Sequence, residues 1–185
     1  MPLKLEKENR ISAYYIFESS VKLDPSGECI WSREGCYTWA ETLDRVRQYA
    51  QWYLSQGVKQ NDLVSFYLTN SPDFIFAWLG LLAVGAAPAM INCNLSGKAL
   101  IHCLKAAGSN LILVDEEEAL LNRIESDRAE IEKLAMKIHV LNTSLKRKIY
   151  GMKPERPADS CRNQVKGNSP IAIFYTRYTF VSLSR

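Results

Sequence analysis

The chain has 185 residues, 47% of them hydrophobic and 23% charged, and a formal net charge of +3. That balance is ordinary for a soluble globular protein, fits one domain or an incomplete piece of a larger one, and does not by itself argue for nucleic acid, so no such partner is expected. Five cysteines form no CxxC pair, and with two histidines they give a zinc site little support; free thiols in a reducing compartment are expected. The charged start MPLKLEKENR has no apolar h-region, so an intracellular protein is expected.

In chain order, Ile11 to Leu23 reads as a short amphipathic helix closed by the turn cluster Asp24-Pro25-Ser26-Gly27. Cys29-Ile30-Trp31 and Cys36-Tyr37 flank Ser32 to Gly35, the pattern of a β-hairpin with a four-residue loop. Thr38 and Glu41 form a capping box, and Leu43, Val46, Ala50, Tyr53 and Leu54 follow at helical spacing until Gly57. Trp39 and Tyr53 could stack on a ligand, but on an amphipathic helix such rings usually serve the core.

Next comes a run of 18 residues without a charge, Phe74 to Ile91. Its punctuation argues against a membrane span. Ser71 suits an N-cap, Pro72 the first helical position and Asp73 the helix dipole, while Gly85 fits a left-handed C-cap. A helix over Pro72 to Val84 is roughly 20 Å long, short of the ~30 Å hydrocarbon core. With strands at Leu63 to Leu68 and Ala87 to Ile91, the stretch is a buried strand–helix–strand unit, and no transmembrane helix is expected.

The alternation continues. Asn92, Asn94 and Ser96 are capping candidates for a helix running to about Ala107, and Gly108 ends it. Asn110 to Val114 is a compact strand, Glu116 to about Lys137 a long helix, and Ile138 to Leu141 another short strand. Asn142 to Asn168 carries seven Lys/Arg against two acidic residues, with Pro154, Pro157, Gly151 and Gly167. It reads as a basic, irregular connector, a solvated linker in preference to a surface for anionic lipid. Pro170 to Tyr175 is the last strand. The expected fold is α/β: a partial doubly wound, mainly parallel sheet with helices on both faces. Sites in such folds lie at the carboxyl ends of strands, where Asn70, Asn92, Asp115 and Thr176 fall. As a cap or turn residue, each asparagine also has a purely structural explanation.

Residues Tyr37 to Asp115 closely resemble the amino-terminal part of adenylate-forming acyl-CoA synthetases. The resemblance rests on Tyr37 to Glu41, Gly57-Val58, Asn70 to Phe74 and especially Gly85 to Asn92, and is strongest toward the very-long-chain acyl-CoA synthetase and fatty acid transport protein branch. It extends over about residues 11 to 176 and implies only the first third or so of a typical member. Members use ATP, magnesium and coenzyme A: a fatty acid carboxylate attacks the α-phosphate, and the coenzyme A thiol then displaces AMP. The resemblance thus implies fatty acid and ATP as partners, and peripheral contact with endoplasmic reticulum, peroxisome or lipid droplet membranes.

The family cradles polyphosphate in a turn reading Tyr-Thr-Ser-Gly-Thr-Thr-Gly after a strand, where small residues let backbone amides approach the phosphates. Here Ile173 to Thr176 fit the strand and the start of that motif, leaving Tyr175 and Thr176 as a nucleotide-binding remnant. Arg177 to Arg185 then contain no glycine. The division expected is an incomplete synthetase domain over 1–176 and a tail over 177–185 outside the family pattern, as a shifted reading frame or exon boundary would produce. No catalytic residue, no metal ligand and no cofactor are assigned to the chain itself. The expected function is that of a truncated member inactive alone. The alternatives are a non-catalytic binding or interaction fragment and a small nucleotide-binding module, the latter without support from a GxGxxG or Walker A sequence.

Overall fold

The computed structural model describes residues 12–33 and 35–175. Helix α1 (Ala13–Val21) leads into hairpin strands β1 (Glu28–Ser32) and β2 (Gly35–Thr38). Ser32 and Gly35 are already cross-strand partners, so the strands occupy both ends of the expected four-residue loop. The Thr38–Glu41 capping box is formed in both directions and starts α2 (Trp39–Ser55). The Thr38 hydroxyl accepts from the Glu41 amide at 3.2 Å, and the Glu41 carboxylate accepts from the Thr38 amide at 2.8 Å.

Strand β3 (Leu63–Tyr67), helix α3 (Pro72–Ala83) and strand β4 (Ala87–Met90) make the expected central unit. Ser71 caps α3, accepting from the Phe74 amide at 3.2 Å, and Gly85 follows at φ +78°. Among the described residues no helix is long and apolar enough to cross a membrane. The apolar character of α3 has another cause: it is packed closely on α2. A β-carbon at Gly80 would come within 2.7 Å of Tyr49 Cβ and 3.1 Å of the Val46 carbonyl, so glycine is what lets the two backbones approach.

Helix α4 (Gly97–Ala107) ends on Gly108 at φ +59°, as expected. Strand β5 (Leu111–Asp115) follows. The long helix expected after it is broken into α5 (Glu118–Ser126) and α6 (Arg128–Glu132). The break falls at Asp127, whose carboxylate turns away to accept from the Gly97 amide at 2.7 Å. One acidic residue therefore interrupts its own helix while satisfying the first amide of α4, whose Ser96 N-cap makes no side-chain bond.

After β6 (Lys137–Leu141) the stretch expected to be irregular opens with a helix, α7 (Thr143–Tyr150). Asn142 caps it, accepting from the Leu145 amide at 2.9 Å. Only then does the chain run without regular structure, apart from a 3-10 turn at Asp159–Arg162. The last strand, β7, is shorter than expected, at Ile173–Phe174.

The sheet order is β6-β5-β3-β4-β7, with every pairing parallel. Alternate residues of the central strands feed two apolar layers, one on each face. Val64, Phe66, Leu111 and Leu113 join Trp52, Phe76 and Leu81 under α1, α2 and α3. Tyr67, Ile112 and Val114 join Leu100, Leu104 and Ile124 under α4 and α5. The partial doubly wound sheet with helices on both faces is thus the fold of the chain.

Candidate functional site

The carboxyl ends of the parallel strands bring Thr69, Asn92, Asp115 and Tyr175 to one edge of the molecule. Register puts Asp115 beside Leu141, at the last rung of the β5–β6 ladder. Its Oδ2 accepts from the Thr69 hydroxyl at 2.5 Å and from the Thr69 amide at 3.2 Å. The carboxylate thereby ties the exit of β3 to the exit of β5. The sequence gives no signal for that clamp, because Thr69 and Asp115 are 46 positions apart.

Asn92 forms a local turn, its Oδ1 accepting from the Asn94 amide at 2.9 Å. Its structural role is therefore the one realised. Around it, Tyr67 lies fully buried in β3 and donates from its hydroxyl to the Leu95 carbonyl at 2.6 Å. The guanidinium of Arg123 donates to the Cys93 carbonyl. The β4–α4 loop is thus held by two side chains from other elements. Asn70 stands apart, exposed at the rim of an open groove shared with Trp31, Arg33 and Phe74.

Tyr175 lies just past β7, half-buried against the layer under α4. Burial, and next the nearby Cys103 thiol, push its phenol above the ordinary tyrosine value. Thr176, its expected companion, lies outside the described residues. Trp39 and Tyr53 do not form a ligand platform. Trp39 packs on Phe17 with centroids 6.0 Å apart, and Tyr53 is fully buried beside Trp52 at 5.0 Å.

One polar centre was missed in the sequence. Asp73, in the first turn of α3, is 4% exposed. It accepts from the Tyr49 hydroxyl at 2.6 Å and from the Tyr150 hydroxyl, with the Lys146 ammonium 3.3 Å away. Burial, and then the adjacent Asp73 carboxylate, push both phenols up. Both tyrosines therefore act as fixed donors. Three helices meet on this carboxylate, and its dipole-compatible position was the only part legible in advance.

The arrangement binds loops together more than it offers free groups to a ligand. Among the described residues no group of three His, Cys, Asp or Glu side chains could hold a metal ion. The five cysteines are free.

A family profile described as AMP-binding enzyme matches residues 17–176. Isopenicillin N epimerase component 1 of Hapsidospora chrysogena is 37% identical over 119 residues, 64% of this chain and 20% of that protein. Long-chain fatty acid transport protein 2 of Rattus norvegicus is 26% identical over 174 residues, 89% of this chain and 28% of that protein. In fold, a fatty acyl CoA synthetase of Mycobacterium tuberculosis superposes with a TM-score of 0.80 at 18% identity, over 90% of this chain and 33% of that one. The chain therefore spans between a fifth and a third of the length of these relatives. Because the profile covers most of the sequence, from α1 to the end of β7, the chain belongs to the AMP-binding enzyme family.

Proposed function

We propose that the chain is the amino-terminal scaffold of an acyl-CoA synthetase directed to long or very-long-chain fatty acids, and that these 185 residues do not complete acyl adenylation alone. One observation carries this reading. The parallel sheet is assembled up to β7 and Tyr175, where a phosphate-binding turn would begin, and the sequence then continues through Arg177 to Arg185 without a glycine. Bulky Tyr178 and Phe180 cannot give amides the close approach to phosphate that a glycine-rich turn gives.

ATP, magnesium and coenzyme A would serve the complete reaction. Among the described residues no cluster of three His, Cys, Asp or Glu side chains is preformed for a metal, and Asp115 Oδ2 at the strand ends already accepts from Thr69. Purified chain given ATP, magnesium, coenzyme A and a long-chain fatty acid is expected to release no AMP. Sustained AMP release would overturn the reading.

A second reading, a non-catalytic interaction fragment, has its own support. Ile171 and Phe174 are 54% and 68% exposed beside and on β7, which among the described residues pairs only with β4. Such an edge invites added strands. On this reading the chain is poorly soluble alone and becomes soluble when co-expressed with the following part of a family domain. A soluble monomer that ignores that fragment would count against it.

A further inference from the structure

The connections of the parallel sheet keep one sense throughout. Those that step toward β7 run over the face of α1, α2 and α3: β3 reaches β4 through α3, and β6 reaches β7 through α7. Those that step toward β6 run over the other face: β4 reaches β5 through α4, and β5 reaches β6 through α5 and α6. One constant sense is what the right-handed rule for parallel connections requires. A connection that continued outward from β7 in that sense would lay its helix on the first face, beside α3.

Among the described residues that place is lined by apolar groups open to solvent. Phe174 is in register with Met90, and Met90 with Phe66, so the three side chains share the first face. Phe66 and Met90 are buried there, whereas Phe174 is mostly exposed. Phe74 stands on Phe66 with centroids 5.9 Å apart, and Trp78, one turn further along α3, meets Phe74 at 6.3 Å. Both rings are only partly buried. The Trp78 indole N–H donates to the Ile171 carbonyl at 2.7 Å, which turns this flank of α3 toward β7. Helices on one sheet face lie about 10 Å apart, roughly two strand spacings of about 4.8 Å, so a neighbour of α3 on this side sits over β7.

We propose that Phe74 and Trp78 on α3, with Ile171 and Phe174 beside and on β7, form a docking channel for an amphipathic α-helix supplied in trans by a longer polypeptide of the same family. Helix α3 has 12 residues, so a helix of equal length, about 18 Å, brings about three apolar residues at i, i+3/i+4 and i+7 onto these rings. Such polypeptides have chain to supply it, since the matched stretch of long-chain fatty acid transport protein 2 is 28% of that protein. The proposal rests on the interaction-fragment reading and names its partner element. Whether the chain adenylates is read separately, by pyrophosphate exchange, and does not move the binding result.

Fluorescence anisotropy with the full chain tests it. The probe is a labelled peptide of the about 30 residues, the length of a βα unit, that follow the matched stretch in the Rattus norvegicus protein. A shuffled peptide of the same composition is the control. The native-order peptide is expected to bind at least tenfold more tightly than the shuffled one and to gain helical circular dichroism on binding. Phe174→Glu and Ile171→Glu, both at exposed positions, should each weaken it at least tenfold with the melting temperature unchanged. Leu23→Glu, exposed at the end of α1 and outside the channel, should leave it unchanged. Equal binding of the shuffled peptide, binding without helix gain, or equal loss in Leu23→Glu would overturn the proposal. So would a dimer of the chain that Phe174→Glu dissociates, which would make a second copy the occupant, or a tenfold gain in peptide affinity on deleting residues 177–185, which would make it the chain's own tail.

Discussion

The guanidinium carbon of Arg162 lies 4.5 Å from the centre of the Tyr14 ring, joining two ends of the chain across one face. Arg162 is 2% exposed, donates to the Ala83 and Pro157 carbonyls, and pairs with Asp159 at 2.6 Å. It locks the segment after α7 onto α1 and α3. Arg162→Met keeps the stem but deletes these bonds, and should cost about 2–4 kcal/mol in denaturant unfolding. A variant within about 0.5 kcal/mol of the parent, the range of a surface change, would contradict this role.

Gly85 meets the same segment from below. A β-carbon there would stand 2.4 Å from the Cys161 carbonyl oxygen, and the residue has φ +78°. Gly57, at φ +84°, faces open space. Gly85→Ala should therefore lose about 2–4 kcal/mol from left-handed strain plus backbone collision, whereas Gly57→Ala should lose about 1–2 kcal/mol from strain alone. Equal losses in chemical denaturation would mean that the segment yields.

Asp73 supports α7 through two phenols. Asp73→Ala should cost about 2–3 kcal/mol, since it strands the fully buried Tyr49 hydroxyl, and Tyr150→Phe only about 1 kcal/mol. Hydrogen exchange of the α7 amides should accelerate in the alanine variant. Unchanged exchange would show α7 to be held by other contacts, such as Gln48, which donates to the Tyr150 carbonyl at 2.8 Å.

His139 predicts a pH effect. Burial, then the charges of Lys137 and Lys148, hold its imidazole below the ordinary value. Its Nε2 is buried without a partner, and its ring meets Trp52 edge-on at 5.3 Å. The fold thus prefers the neutral ring. The stability tied to it is complete above the unfolded value of about 6.5 and declines as pH falls from there toward the folded value. Melting temperatures measured through that window should drop less for His139→Phe than for the parent; parallel curves would refute the assignment.

Much of the fold was legible because local signals agreed with one another. Ser71-Pro72-Asp73, the Thr38–Glu41 box, Gly85 and Gly108 each mark an element end by a mechanism confined to a few residues, and each appears where expected. The misses have a common cause. Asp127 broke a helix because it was drawn to Gly97, thirty positions away. Arg156 and Arg162 read as linker charges, yet the first pairs with buried Glu18 at 2.5 Å and the second is buried itself. Long-range partners decide such residues, and composition does not reveal them. The same holds at the strand ends. Asp115 was placed correctly on the sheet, but its engagement by Thr69 emerges only from the register of β3 against β5.

The central proposal is that these 185 residues do not complete acyl adenylation alone. ATP–pyrophosphate exchange isolates the first half-reaction and needs no coenzyme A. With the purified 185-residue chain, magnesium, labelled pyrophosphate and a series of fatty acids from short to very long, the account predicts no exchange above a no-protein control. Fatty-acid-dependent exchange that scales with protein concentration would contradict it.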